Sequence, residues 1–117
     1  MEADLKTGGY IGIGEFVPRH TSPDKLYSFG ERLAAWAVRF RDRGVTGISL
    51  GGSEGRFPPA PFARAFAIAR EGGLKAAPHA GETAGPASIR SALDALHADR
   101  LRHGVRAVED AALLAEL

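Results

Sequence analysis

Apolar residues fall along this chain in two periods. Leu26, Phe29, Leu33, Trp36 and Phe40 are spaced three and four apart, which predicts one buried stripe on an amphipathic helix. Ser22-Pro23 supplies a cap residue and a first-turn proline for its start, and Gly44 supplies its end. A second helix is expected from Pro61, with Phe62 and Phe66 facing inward, to Gly72-Gly73. A third begins at Pro86 to Ser88 and turns Ile89, Ala92, Leu93 and Leu96 to one side. A last one opens at Glu109-Asp110, where acids suit the positive end of a helix dipole.

Between these helices lie short apolar runs bounded by Gly or Pro, at 10–17, 45–50, 74–79 and 100–103. They read as strands. Strands alternating with helices imply parallel βαβ units, so the expected class is α/β with about four parallel βα units in a single domain over residues 1–117.

In parallel α/β folds, reactive residues gather at the carboxyl ends of strands. Those places read Arg19-His20, Gly51-Gly52-Ser53-Glu54, His79-Ala80-Gly81-Glu82 and His103-Gly104. His79 ends an apolar strand, where it is either a metal ligand or proton carrier or a hydrogen-bonded core histidine. Glu82 is either a proton shuttle or a solvated loop acid, and Gly81 beside it leaves room for a substrate near the backbone. His103 is the expected neighbour of His79 across the sheet. Gly51-Gly52 exposes backbone donors. His97, beside Asp99 on the third helix, reads as a surface residue.

Composition narrows the chemistry. The chain has no Cys, which excludes disulfides and Cys-ligated zinc, so any metal takes His and carboxylate ligands. Lys+Arg 15 against Asp+Glu 14 leaves a net charge of +1, with no field to draw nucleic acid or a membrane surface. No run approaches the ~20 apolar residues of a membrane span, and MEADLKTGG is unlike a signal peptide. A cytoplasmic location is the expectation, with any partner to be read from the sites rather than from charge and the oligomeric state left open.

The ordered segments GVTGISLGGSE, HAGE, SIRSALDALHADR and HG followed by VRAVED resemble the adenosine deaminase family of the amidohydrolase superfamily. PRH at Arg19-His20 is similar to the end of the preceding strand in that family. The resemblance implies a metal-dependent (β/α)8 TIM barrel that hydrolytically replaces the 6-amino group of adenosine or a related purine nucleoside. It implies His79 as a ligand of Zn2+ and Glu82 as the donor of a proton to purine N1. It implies His103 as the residue that orients or deprotonates the zinc-activated water, and Gly52 as a backbone contact to the ring.

The departures limit this reading. The family's His-x-His and Asp-Asp ligand pairs are absent from the 117 residues. A complete barrel takes ~250 residues, so the chain corresponds to a partial barrel, the third to sixth βα units. Arg102 stands where the family usually has Gly, and Ser49 and Ser53 stand where many members have Asp. The alternative is therefore a catalytically inactive fragment of such a deaminase.

Overall fold

The computed structural model describes residues 22–117. The strand expected at 10–17 and the Arg19-His20 strand end lie outside these residues.

Helix α1 spans Pro23–Arg39, with Pro23 in its first turn as expected and Asp24 beside it. It stops short of Gly44. A 3-10 turn over Arg41–Arg43 intervenes before Gly44 closes the exit at φ 100°. Its buried face also differs from the expected stripe. Leu26, Gly30, Ala34 and Ala37 are buried, whereas Phe29 is 47% exposed and Leu33 and Trp36 are half-buried. The reason is close helix packing. A Cβ added at Gly30 would sit 3.6 Å from Ala65 Cβ and 3.7 Å from Phe62 Cδ1, so small residues form the seam and the large ones flank it.

Helix α2, Ala63–Glu71, follows a 3-10 turn at Ala60–Phe62. Phe62 and Phe66 are buried as the pattern predicts, and Gly72 caps the end. Helix α3, Pro86–Leu96, buries Ile89, Ala92 and Leu96 and ends at an exposed, left-handed His97 with φ 49°. Helix α4, Ala111–Glu116, is capped by Asp110, whose carboxylate accepts from the Ala112 and Leu113 N–H groups at 3.0 Å. Glu109 lies outside that helix. It ends a 3-10 turn over Val105–Glu109 and pairs with Arg106 at 2.7 Å.

The strands are short and parallel. Gly47–Ile48 (β1) pairs with Lys75–Ala76 (β2), and His79–Ala80 (β3) pairs with Arg102–His103 (β4). The run expected as one strand at 74–79 therefore uses its first half on one side and its last residues on the other. Ala77 and His79 N–H groups still donate to Ile48 and Leu50 carbonyls, at 3.0 and 2.8 Å. Buried Pro78 has no N–H to give, so on the other side the ladder resumes at its carbonyl, which accepts from Arg102 N–H at 2.9 Å.

Three apolar clusters hold the helices to these strands. Ala34, Ala37, Phe40, Val45, Ala65, Ala69 and Leu74 fill the α1–α2 seam. Leu26, Leu50, Phe62, Phe66, Ala76 and Leu96 continue it. Ala80, Ile89, Ala92, Ala107 and Leu113 lie beneath α3 and α4. Large side chains such as Ile89 and Leu113 each contribute about 1.5–3 kcal/mol by leaving water. Among the described residues, no helix is long and apolar enough to cross a membrane.

Candidate active site

The parallel register sets Ala80 opposite His103 and His79 opposite Arg102. Two histidines from separate segments thereby meet at one end of the β3–β4 pair. His103 Nε2 lies 3.1 Å from His79 Nδ1, with the ring centroids 4.9 Å apart. Glu82, in the loop after β3, places Oε2 3.4 Å from His103 Nε2. One ligand atom from each of His79, Glu82 and His103 falls within a 4.8 Å cluster. Gly52, at φ 109° in the loop after β1, shares a shallow recess with His79 and Phe57. The four residues singled out in the sequence are thus brought to one end of the strands.

The trio fits a zinc ion by its donor chemistry. Two imidazoles and a carboxylate suit zinc, and ligand bonds of ~2.0–2.1 Å in a tetrahedron put neighbouring donors about 3.3 Å apart. Two of the three spacings, 3.1 and 3.4 Å, lie near that edge, and all three donors fall within 4.8 Å of one another. Backbone strain marks the same place. His103 adopts φ 70°, a left-handed conformation that costs a non-glycine residue on the order of 1–3 kcal/mol and concentrates at functional sites. Arg102, from the same short strand, rests its Nη1 3.3 Å from His79 Nε2. A larger cleft lies further along the strands, lined by Thr46, Lys75, Asp99 and the same Arg102.

Gly81 plays a different part from the one expected. It is buried at φ 73°, and a Cβ there would lie 2.5 Å from Ile89 Cδ1 and 3.3 Å from Gly104 Cα. The missing side chain makes room for the core beneath the loop, so Gly81 does not leave space for a substrate.

One residue without a role in the sequence reading organises the loop. Glu54, 6% exposed, accepts hydrogen bonds from the N–H groups of Gly81 and Glu82 at 2.9 Å, of Ala84 at 3.3 Å and of Thr83 at 3.4 Å. Ser88 Oγ donates to it at 2.9 Å. Burial pushes its carboxyl up, but the donors from Glu82, Ser88, Gly81 and Thr83 outweigh burial and hold it below its ordinary value. The sign of the pH effect follows. A carboxyl with a lowered folded pKa stabilises the fold above its unfolded value, and that stability is lost as pH falls through the folded value. Asp99, held low by Lys75 and the Ala76 N–H, and Asp110, held low by the Leu113 N–H and Arg90, act in the same direction. The urea midpoint is expected to fall steadily from about pH 4 downward, with a shallower slope in Glu54→Gln; a flat profile contradicts the assignment.

With this geometry in hand, the relatives are informative. The family model described as adenosine deaminase matches residues 19–117. An adenine deaminase of Agrobacterium fabrum is 44% identical over 115 residues, covering 98% of this chain and 34% of that protein. A Streptomyces virginiae protein, provisionally named adenosine/adenine deaminase, is 59% identical over 85 residues, 73% of this chain and 25% of that protein. The chain thus spans about a quarter to a third of the length of these curated relatives. Among solved structures, adenine deaminase from Arthrobacter aurescens superposes with TM-score 0.70 at 34% identity, covering 88% of this chain and 30% of that one. An amidohydrolase from Burkholderia ambifaria with bound Zn gives TM-score 0.74 at 30% identity, covering 89% and 28%.

Proposed function

Because the chain belongs to the adenosine deaminase family, whose model matches residues 19–117, we propose that His79, Glu82 and His103 serve the zinc-dependent hydrolytic deamination of a 6-aminopurine, adenine or its nucleoside. The observation that carries this reading is the convergence of two histidines and one carboxylate within 4.8 Å at the strand ends. The relatives named for adenine and adenosine/adenine deaminases support the substrate class, and the Zn-bound amidohydrolase neighbour supports the metal.

In this reading His79 holds the ion. Zinc, when bound, lowers the pKa of water from ~15.7 toward ~7 and so supplies a nucleophile at neutral pH. His103 orients the attacking water and accepts its proton. Glu82 donates a proton to purine N1, so that negative charge does not build on the ring as water adds to the carbon bearing the amino group. The Gly52 backbone, in the recess shared with His79, binds the ring edge. The proton taken up by His103 passes to the amino group, which leaves as ammonia, while Glu82 takes the proton of the added hydroxyl and the oxygen remains on the ring as a carbonyl.

The same reading makes the chain one domain, part of a (β/α)8 barrel, acting in the cytoplasm on a small purine rather than on nucleic acid. Catalytic zinc takes about three protein ligands plus water, and the 117 residues lack the His-x-His and Asp-Asp pairs that the resemblance implies. Activity is therefore assigned to a barrel that contains those pairs.

A chimaera tests this. The matching third of the Agrobacterium fabrum adenine deaminase is replaced by these residues, and ammonia release from adenine and adenosine is followed beside the isolated chain. The chimaera is expected to turn over at least one purine and the isolated chain neither. A folded, zinc-loaded chimaera that releases no ammonia overturns the proposal.

A further inference from the structure

We propose that Glu54 is a positioning residue, whose buried carboxylate sets the backbone of the loop after β3 and thereby aims Glu82 at the histidine pair. The inference rests on the functional reading above and adds a residue outside the reacting groups.

Glu82 needs such a device. Its side chain is 49% exposed, so no packing fixes it in the 3.4 Å approach to His103 Nε2. What is fixed is the backbone on which it stands. Successive N–H groups from Gly81 to Ala84 all turn toward the two oxygens of Glu54, with Gly81, Ala84 and Ser88 on Oε2 and Glu82 and Thr83 on Oε1. An ionised carboxylate is acceptor-only and has about four lone-pair sites, which suits a set made only of donors. From the other side, Arg106 Nη1 donates to the Thr83 carbonyl at 2.9 Å. Arg106 N–H also donates to the Gly81 carbonyl at 3.1 Å, so the Gly81–Glu82 peptide is held at both its C=O and its N–H and the next peptide at the Thr83 N–H, and the direction of the Glu82 Cα–Cβ bond follows.

Glu54 is itself anchored. Arg56 and Phe57 N–H groups donate to the Ser53 carbonyl at 3.1 and 2.9 Å, forming a turn that directs Glu54 from the loop after β1 into the next strand's loop. The loop that carries Gly52 therefore also governs the loop that carries Glu82. Gln in this place puts an amide donor against N–H donors on one side and gives up the charge on the other.

The test compares the wild-type chain with Glu54→Gln by NMR, and the chimaera with and without Glu54→Gln by zinc titration in competition with a chelator. In the wild type, the amides of Gly81 and Glu82 are expected to be protected from exchange, and Glu82 side-chain protons to show contacts to the His103 ring. In Glu54→Gln, protection is expected to drop about 10–100-fold, the scale of a lost charge-assisted hydrogen bond. The Glu82–His103 contacts are expected to vanish, while Leu26 and Leu96 methyl shifts stay in place. Zinc affinity is expected to fall about tenfold, as when an outer partner of a metal site is removed. Retention of the Glu82–His103 contacts in Glu54→Gln overturns the proposal. If the variant does not fold, the wild type decides, since exchange at Gly81 and Glu82 as fast as in an open loop also overturns it. A chimaera that ignores zinc while Glu54→Gln still releases Glu82 in the chain supports the positioning role and instead removes the metal reading.

Discussion

Glu82→Gln in the zinc-loaded chimaera is expected to lower kcat for purine deamination by about 10²–10⁴-fold, the usual contribution of a placed general acid or base. Gln matches Glu in shape, and the bonds that fix this loop run from the Glu82 N–H rather than from its side chain. The substitution should therefore leave the loop as it stands. What it removes is a group that can release a proton to the ring and take one back. A change in kcat with KM nearly constant marks an interaction made in the transition state, and zinc content measured on the same samples separates two roles. Zinc retained with kcat lost identifies Glu82 as a proton carrier. Zinc lost in parallel identifies it as a ligand, an option its position 3.4 Å from His103 leaves open chemically. A fall of less than about tenfold with zinc retained sets Glu82 aside as the acid.

The helices and the histidine pair were legible because each rests on local chemistry. Pro23 and Pro86 mark helix entries, Pro61 lies in the 3-10 turn that leads into α2, and Gly72 marks an exit, whereas α1 ended before Gly44; the short runs ending on His79 and His103 placed the two rings on neighbouring strand ends. The face of α1 was legible only in part: Leu26 and Phe40 are buried as the stripe predicts, but periodicity counts large side chains while Gly30, Ala34 and Ala37 are buried between them. Close approach favours small residues, and a reading that rewards volume turns such a helix the wrong way. The division of the run at 74–79 was visible in principle, because Pro78 can give no ladder hydrogen bond.

Glu54 was missed for another reason. It closes the G-G-S-E loop, and it stands last in the segment GVTGISLGGSE on which the family resemblance rests, yet a lone loop carboxylate reads as solvated. Its five donors come from a segment 27 to 34 positions away. Sequence spacing carries no signal for a convergence of that range. The backbone bonds of the site are long-range even where its reactive side chains follow local rules.

Gly81→Ala is expected to destabilise the chain by about 2–5 kcal/mol in urea unfolding, from two separable sources. A left-handed residue with a Cβ costs about 1–2 kcal/mol, and overfilling a packed core costs about 1–3 kcal/mol. Both conditions hold here, with φ at 73° and the new Cβ 2.5 Å from Ile89 Cδ1. The end of an isoleucine chain can usually yield, but Ile89 is 0% exposed among Ala80, Ala92 and Leu113, so it has nowhere to go. The second obstacle, Gly104 Cα at 3.3 Å, is backbone directly after His103. Relief by moving either neighbour therefore shifts the site, and loss of the Glu82–His103 contact should accompany the loss of stability. Ile89→Ala separates the sources. By itself it costs about 2–5 kcal/mol as a cavity, but combined with Gly81→Ala it supplies the missing space, so the double variant should be more stable than the sum of the singles predicts by about 1–3 kcal/mol. Strict additivity means that the Cβ never meets Ile89 and that the whole cost of Gly81→Ala is backbone strain.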